Sequence, residues 1–327
     1  MAMSVTALGA REGRRGLPAL EEWHQLASDS LPVLALVAML ICTVVVVPAS
    51  RSTSGMELLL SPAVPLVIAA LSQMFVIVLG DIDLGTGYLV GLANVVSARY
   101  LASDPLVAVG LFAVIVVAYM AVGALIEIRK IPSIIVTLGA SFIWLGFALV
   151  IFPIPGGTSP GWLASIMNWS PPVLPAAVVF AVVLCVIGYM ITDHTAYGTV
   201  MRGAGSNRLA VTRYGWSMLK VRVVCYGLAG LFGVLSGLTL TGMTSSGDAN
   251  ASANYTLLAI ASVILGGGLF SGGRARATGT VIGAFAISLV AQLLVFFNVS
   301  SAYQAAAQGL ILVSVLAGRA LLRMGER

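Results

Sequence analysis

Long apolar runs alternate with short polar intervals along the whole chain, and this pattern dominates the sequence. Most of the runs approach the ~20 residues that a helix needs to cross the hydrocarbon core of a bilayer. The runs lie near residues 31–47, 62–79, 84–102, 106–126, 133–152, 173–191, 221–241, 256–270, 277–297 and 304–322. The pattern therefore predicts an all-α, polytopic membrane protein with about ten transmembrane helices.

The composition supports a membrane location, because 59% of the 327 residues are hydrophobic and only 9% are charged. A soluble domain carries roughly 25% charged residues, so this chain cannot cover its own surface with polar groups and needs lipid as its solvent. The formal charge of +5 is scattered between the apolar runs, which argues against nucleic acid as a partner.

The basic residues sort onto one side of the predicted membrane when the N-terminus is placed in the cytoplasm. On that side fall 15 of the 17 lysines and arginines, and only Arg51 and Arg99 fall on the other. Membrane proteins usually carry an excess of Lys and Arg in their cytoplasmic loops. We therefore expect a cytoplasmic N-terminal segment over 1–30, a transmembrane domain over 31–323 and a cytoplasmic C-terminus.

Sequence signatures of catalysis and metal binding are absent. The three cysteines lie in apolar runs and the two histidines stand apart from other metal ligands, so we expect neither a disulfide framework nor a metal centre. No Gly-Lys-Ser/Thr phosphate loop, Gly-x-Ser-x-Gly elbow or His-Glu-x-x-His motif occurs. We therefore expect no cofactor and no enzymatic activity in this chain.

The longest polar interval, residues 192–222, carries five basic residues and one acidic residue, and the charge sorting places it in the cytoplasm. Within it, residues 205–215 predict a two-turn helix, with Ser206 or Asn207 as its N-cap and Gly215 in a left-handed conformation at its end. A helix this short is marginally stable in water, so it must pack against something. Either its own chain or a groove on a separate protein can provide that surface.

Two carboxylates interrupt the apolar sequence between the second and third predicted helices, in Gly80-Asp81-Ile82-Asp83-Leu84-Gly85-Thr86-Gly87. An ionised carboxylate at mid-bilayer costs about 2.5–3.5 kcal/mol on insertion scales, so such groups usually face protein or water. One interpretation is a broken helix, in which Asp81, Asp83 and freed backbone groups shape a polar pathway beside the flexible glycines. The other is a tight cytoplasmic turn, in which Asp83 caps the next helix.

Glycine patterns recur near the ends of the apolar runs. Residues 86–91 and 278–283 share Thr-Gly-x-x-x-Gly, a spacing that lets helices approach closely and that also fits an internal repeat. The stretch 265–276 holds five glycines beside two arginines, which favours the end of a span and close packing. Two further intervals, 152–172 and 241–255, either connect spans or form a mouth toward a soluble partner.

Four motifs stand in a recognisable order: Gly80-Asp81-Ile82-Asp83-Leu84, Gly203-x-Gly205-x-Asn207, residues 259–267 with Gly272-Gly273, and Tyr303-Gln304 with Gly309. Together they resemble the permease subunits of bacterial ABC importers of the ribose, xylose, galactose and autoinducer-2 type. The resemblance implies ten helices, a dimer with an identical or sister permease, ATPase subunits at the cytoplasmic face of the inner membrane, and an extracytoplasmic solute-binding protein. The chain departs from the family pattern at two places, and both bear on which solute it carries. The family commonly has a second glycine in place of Asp81, and a small glycine-containing segment in place of residues 274–276.

The resemblance also implies a function. We expect import of a monosaccharide or small polyol by alternating access, driven by ATP hydrolysis on partner subunits. The expected pathway residues are Gly80, Asp81, Asp83, Gly85 and Gly87, and the expected ATPase-coupling residues are Asn207, Arg208, Leu209, Ala210, Arg213 and Tyr214. Residues four apart share a helix face, which places Leu209, Ala210, Arg213 and Tyr214 on the docked side and leaves Arg208 at its rim.

Three other functions stay open at this point. A permease for branched-chain amino acids or nucleosides would have a related layout and a different binding partner. An ion-driven secondary transporter would work as a lone chain and would need titrating acids in its core. A membrane scaffold would leave uptake unchanged when deleted.

Overall fold

The protein is described here by a computed structural model that covers residues 18–171, 174–300 and eight residues between 303 and 314, with side chains at residue 30 and from residue 32 onward. The regular structure in these ranges is helical, apart from one isolated bridge between Gly156 and Gly247 and a 3-10 turn at Pro48–Arg51. The helices are α1 Pro18–Val46, α2 Thr53–Leu60, α3 Ala63–Ile77, α4 Thr86–Tyr100, α5 Pro105–Arg129, α6 Ser133–Ile151, α7 Gly161–Met167, α8 Ala176–Asp193, α9 Ala196–Ser206, α10 Arg208–Arg213, α11 Met218–Thr244, α12 Tyr255–Leu265 and α13 Ala277–Phe296. The all-α prediction is confirmed.

Six helices in the described ranges are long and apolar enough to cross a membrane: α2 with α3, α5, α6, α8, α11 and α13. The prediction of a polytopic membrane protein is therefore confirmed, whereas the count of about ten spanning helices is not supported. The predicted spans near 84–102 and 256–270 form α4, with 15 residues, and α12, with 11. At 1.5 Å per residue such helices are shorter than the ~30 Å hydrocarbon core. Residues 1–17 and most of the predicted span 304–322 lie outside the described residues.

α3 lies at the centre of the fold, and all 15 of its residues are buried. It packs against α11 through hydroxyl groups, because Ser72 Oγ donates to the carbonyl of Ala229 and Ser236 Oγ donates to the carbonyl of Pro65, each at 2.7 Å. Hydroxyl bonds of this kind hold helices together where lipid removes the hydrophobic driving force. By contrast, α5, α6 and α8 expose apolar side chains, as helices that face lipid or another subunit do.

Two non-helical loops separate pairs of helices and meet each other. The first interruption, residues 78–85, joins α3 to α4, and the second interruption, residues 266–276, joins α12 to α13. Gly80 and Gly273 have φ values of 81° and 78°, a conformation that glycine adopts without steric penalty. The N–H of Gly273 donates to the carbonyl of Val78 at 2.8 Å, so the two interruptions form one junction.

The two Thr-Gly-x-x-x-Gly strings mark places where backbones touch. A Cβ atom on Gly87 or Gly91 of α4 would lie 2.6 Å and 2.5 Å from backbone oxygens just before α12. A Cβ atom on Gly279 or Gly283 of α13 would lie 1.9 Å and 2.4 Å from backbone oxygens at the end of α12. The close approach predicted for these glycines is therefore confirmed, and a repeat origin stays a prediction.

At the end of the bundle opposite α10, the described part of the interval 152–172 contacts the interval 241–255. Gly156 and Gly247 exchange two backbone hydrogen bonds, of 3.0 Å and 2.7 Å. The side chain of Asn94 bonds to the backbone on both sides of Gly247, at 3.0 Å and 2.7 Å. These two intervals therefore form a single joined surface rather than two independent connections.

Candidate functional site

α10 has the caps that the sequence predicts. Asn207, rather than Ser206, is the N-cap residue, and its Oδ1 accepts a hydrogen bond from the N–H of Ala210 at 3.0 Å. Gly215 follows the helix with a φ of 83°, in the left-handed conformation that commonly ends helices. The predicted short helix is confirmed, with its regular part over Arg208–Arg213.

α10 packs on its own chain through one face only. Val211 is buried, and α10 contacts α9 and α11. On the other side Leu209 is 60% exposed, Tyr214 is 86% exposed and Arg213 is exposed as well, with Ala210 half-buried beside them. The structure thus shows packing on the chain itself and leaves a second face uncovered, for which docking on another protein stays a prediction.

The C-terminal end of α9 fits into the junction of the two interruptions. A Cβ atom on Gly205 would lie 2.0 Å from the carbonyl oxygen of Val78 and 2.3 Å from the amide nitrogen of Gly273. Contacts of this length leave no room for a side chain, so only glycine brings α9 this close. α9 therefore touches the first and second interruptions at one point.

The start of α9 is held by separate contacts. Thr195 is its N-cap residue, and its Oγ1 accepts a hydrogen bond from Gly198 N–H at 3.0 Å. The Tyr197 hydroxyl donates to the Lys220 carbonyl at 3.2 Å, and its ring packs edge-on against Trp216. Burial raises the pKa of Tyr197 to about 12, so this hydroxyl keeps its proton at neutral pH. Both ends of α9 are thereby attached to the bundle.

Asp83 is fully buried in the first interruption, and protein groups occupy its carboxylate. Its Oδ1 accepts from the N–H of Gly85 at 2.6 Å, and its Oδ2 accepts from Thr86 Oγ1 at 2.7 Å and from the hydroxyl of Tyr119. Gly85, and not Asp83, is the N-cap residue of α4. Asp83 therefore orients the loop that leads into α4 from a position two residues before its cap.

α6 supplies partners for the backbone of the first interruption. The N–H of Ile82 donates to Ser133 Oγ at 3.1 Å, and the N–H of Leu84 donates to Thr137 Oγ1 at 3.0 Å. Without these hydroxyls, two backbone donors would stay unpaired in an apolar setting, which is costly. The first interruption is therefore a built feature of the fold.

Asp81 belongs to a chain of charged groups. Its Oδ1 accepts from Arg222 Nη2 at 3.1 Å, and its Oδ2 lies 2.9 Å from Arg222 Nε, at an angle that makes this contact an ion pair rather than a hydrogen bond. Arg222 Nη1 donates to Glu127 Oε2, which lies 3.2 Å from Arg208 Nη2. Lys130 donates to the other oxygen of Glu127. Both carboxylates are thus compensated by basic groups from other elements.

The other predicted pathway positions surround these carboxylates. Gly80 is exposed, whereas Gly85 and Gly87 are buried, and the N–H of Gly87 donates to Thr256 Oγ1 at 2.8 Å. Among the described residues, no three His, Cys, Asp or Glu side chains come together as metal ligands. The structure brings the predicted pathway residues into one region, where both acids contact protein groups.

Sequence reasoning missed three residues of this region: Tyr119, Glu127 and Arg222. Glu127 and Arg222 are 95 positions apart, and each is a charged residue near one end of a long apolar helix. The one available signal was that an ionised side chain inside a span needs a partner of opposite charge. That rule requires a partner without saying which residue provides it.

Known transport proteins are similar to this chain over most of its length. Residues 55–316 match the family described as "Branched-chain amino acid transport system / permease component". The ribose import permease protein RbsC of Bacillus subtilis (strain 168) is 33% identical over 260 residues, which make up 77% of this chain and 80% of the relative. RbsC of Escherichia coli (strain K12) is 29% identical, covering 75% of this chain and 79% of the relative.

A third relative extends the similarity to nearly the whole chain. The probable ABC transporter permease protein YphD of Escherichia coli (strain K12) is 26% identical over 329 residues, which cover 98% of this chain and 97% of the relative. No solved structure matches the chain. The similarity includes both interruptions and α9 and α10.

Proposed function

We propose a solute and a mechanism for this chain. The chain belongs to the permease family that matches its residues 55–316. It is a permease subunit of an ABC transporter, and ATP hydrolysis takes place on separate subunits of such a transporter. The proposed solute is a monosaccharide or a small polyol. The observation that carries this choice is the 33% identity to a ribose import permease over 77% of the chain.

The uncovered face of α10 is the proposed docking site for an ATPase subunit. Leu209, Arg213 and Tyr214 project from it, with Ala210 at its edge. Arg and Tyr are frequent anchors at protein interfaces, whereas Arg208 turns toward Glu127 of its own chain. Asn207 stabilises the start of the helix, so a force applied by the partner reaches a preformed element.

Transport proceeds by alternating access in this proposal. ATP-driven movement of the ATPase subunits displaces α9 and α10, and α9 transmits the displacement to both interruptions through Gly205. The first interruption lies at the solute pathway, with Gly80, Asp81, Asp83, Gly85 and Gly87 shaping it. The carboxylates act by orienting the loop, since their oxygens are occupied by protein groups.

The proposed setting is the bacterial plasma (inner) membrane, which the chain crosses several times, with both termini in the cytoplasm. The loop 192–222 then faces the ATPase subunits, consistent with the sorting of basic residues. The joined intervals 152–172 and 241–255 face outward and offer a surface to an extracytoplasmic solute-binding protein. A second permease, identical or a sister chain, covers part of the exposed apolar surface.

The solute is tested by deleting the gene and restoring it on a plasmid. Uptake of radiolabelled ribose, xylose, galactose and a small polyol is measured beside leucine and adenosine. We expect the deletion to abolish uptake of one of the sugars or the polyol and to leave leucine and adenosine unchanged. Loss of leucine uptake alone would favour the branched-chain amino acid permease that the family description names. Loss of adenosine uptake alone would favour a nucleoside permease.

The docking site is tested by co-purification of the ATPase subunit. Tyr214→Ala and Arg213→Ala should weaken binding, because a desolvated anchor contributes about 2 kcal/mol or more, which is roughly thirtyfold in Kd. Arg208→Ala is the comparison variant, since Arg208 faces its own chain. Equal and small effects of all three substitutions would refute the docking assignment and favour an interfacial role for α10.

A further inference from the structure

We propose that Glu127 and Arg208 are positioning residues that connect α10 to the first interruption through a chain of ion pairs, Arg208–Glu127–Arg222–Asp81. These four residues are called the ion-pair chain below. The inference rests on the proposed docking of an ATPase subunit on α10. It goes beyond that proposal by naming a route along which a movement of α10 reaches the interruption, and by naming the link that opens.

The ion-pair chain crosses four separate parts of the fold. Arg208 begins α10, Glu127 lies near the end of α5, Arg222 lies near the start of α11, and Asp81 lies in the first interruption. One oxygen of Glu127, Oε2, contacts Arg208 at 3.2 Å and also accepts from Arg222. Arg222 then contacts both oxygens of Asp81, at 2.9 Å and 3.1 Å. A single carboxylate therefore joins the short surface helix to a buried arginine.

The links differ in strength because they differ in exposure. The side chains of Arg222, Glu127 and Asp81 are 6%, 8% and 10% exposed, whereas that of Arg208 is 46% exposed. Separating a buried pair leaves an uncompensated charge in a medium of low dielectric constant, whereas separating an exposed pair changes the free energy little. The three buried residues therefore move as a unit, and the Arg208–Glu127 link is the one that opens.

Lys130 makes this opening possible without stranding a charge. It donates to the Oε1 atom of Glu127, and its own side chain is 68% exposed. When Arg208 leaves, Glu127 keeps a basic partner on each of its two oxygens, Lys130 on one and Arg222 on the other. The ion-pair chain can therefore exist in a closed and an open state.

The receiving end of the ion-pair chain lies beside a flexible residue. Asp81 directly follows Gly80, whose φ of 81° falls in a region that glycine crosses easily. On the other side of Gly80, the carbonyl of Val78 is the atom that Gly205 of α9 approaches. The contacts from α9 and from the ion-pair chain thus bracket Gly80, and both lead back to the segment that holds α10.

The inference is tested in the full transporter, with its ATPase subunits bound, by a reporter in the first interruption. Ile82→Cys in a cysteine-free background is suitable, because Ile82 is half-buried. With the ion-pair chain intact, we expect its maleimide-labelling rate to differ by at least about fivefold between the nucleotide-free and the ATP–vanadate-trapped states, the lower range for coupled sites. Glu127→Gln should abolish this difference, since it removes the charge that holds Arg208.

A second variant and a control keep the test decisive. Arg208→Gln changes an exposed side chain and should also abolish the difference, even if Glu127→Gln fails to fold, whereas Arg208→Lys keeps the charge and should restore it. Arg202→Gln is the matched control. It removes an ion pair of similar length, 3.3 Å to Asp193, together with a hydrogen bond to the carbonyl of Thr192. Both partners lie on the segment 192–222 and outside the ion-pair chain.

The outcomes separate this inference from the proposed function. If Arg208→Gln keeps the nucleotide-dependent difference, or if Arg202→Gln loses it as well, the inference is overturned while the docking proposal stands. The inference is also overturned, and the docking proposal stands, if the Ile82→Cys chain without further substitutions is labelled at the same rate in both nucleotide states with the ATPase bound. If no ATPase subunit binds the unsubstituted chain, the proposed function fails and the inference fails with it.

Discussion

Gly205→Ala should separate α9 from the junction of the two interruptions. The added Cβ atom would lie 2.0 Å from the carbonyl oxygen of Val78 and 2.3 Å from the amide nitrogen of Gly273, whereas ordinary van der Waals contact begins at 3.4 Å. Both neighbours are backbone atoms, which cannot rotate away as the end of a flexible side chain can. The backbones must therefore move apart by about 1.4 Å, the difference between ordinary contact and the shorter distance.

The expected magnitude combines two opposing effects. Overpacking a well-packed site costs about 1–3 kcal/mol, and the backbone nature of both neighbours places Gly205→Ala at the upper end. Replacing glycine by alanine inside a helix contributes about 1 kcal/mol in the other direction. We therefore expect a net destabilisation of about 2 kcal/mol, together with a loss of uptake, because α9 no longer contacts both interruptions.

Gly203→Ala is the matched control on the same helix. Its Cβ atom would meet only one side-chain methyl group, Cγ2 of Val211, at 3.0 Å. It gains the same helix propensity with far less overpacking, so its Tm should stay close to that of the unsubstituted chain. Both variants are compared by thermal unfolding in detergent and by uptake. Equal Tm and uptake for Gly205→Ala and Gly203→Ala would refute the junction as a transmitting contact.

Ser206→Cys and Thr244→Cys in a cysteine-free background should label from opposite sides of the membrane, since α11 lies between them; labelling of both by an impermeant outside reagent would refute the topology. Asn207→Ala should destabilise α10 by about 1 kcal/mol through loss of its N-cap bond, seen as faster hydrogen exchange over residues 208–213. Asp83→Asn replaces one acceptor oxygen by a donor beside the Tyr119 hydroxyl or Gly85 N–H, so uptake should fall while the ATPase still co-purifies. Normal uptake by the Asp83→Asn variant would refute the orienting role of Asp83.

Features that depend on neighbouring residues were predictable from the sequence. The helical, membrane-spanning character follows from runs of apolar residues, because a chain in lipid must pair its own backbone groups. The caps of α10 follow in the same way, since Asn207 and Gly215 act within one turn of the helix that they limit. The resemblance to ABC importer permeases also depended on short motifs, and the family match confirms it.

The number of spanning helices was only partly predictable, because hydropathy measures how apolar a segment is and not whether it crosses the whole bilayer. The apolar runs that form α4 and α12 were counted as spans, yet these helices have 15 and 11 residues. Buried protein helices and lipid-exposed helices have similar apolar sequences. Their short lengths are set by the glycine-containing interruptions beside them, whose exact extent depends on contacts with distant segments.

The links between these elements were decided by the tertiary structure alone. Arg222 lies 95 positions from Glu127 and 141 positions from Asp81, and neither distance leaves a periodic signal in the sequence. The sequence required only that a charged group in an apolar setting find a partner. The packing of α5 and α11 against the first interruption selected these partners, because burial makes each unpaired alternative costly.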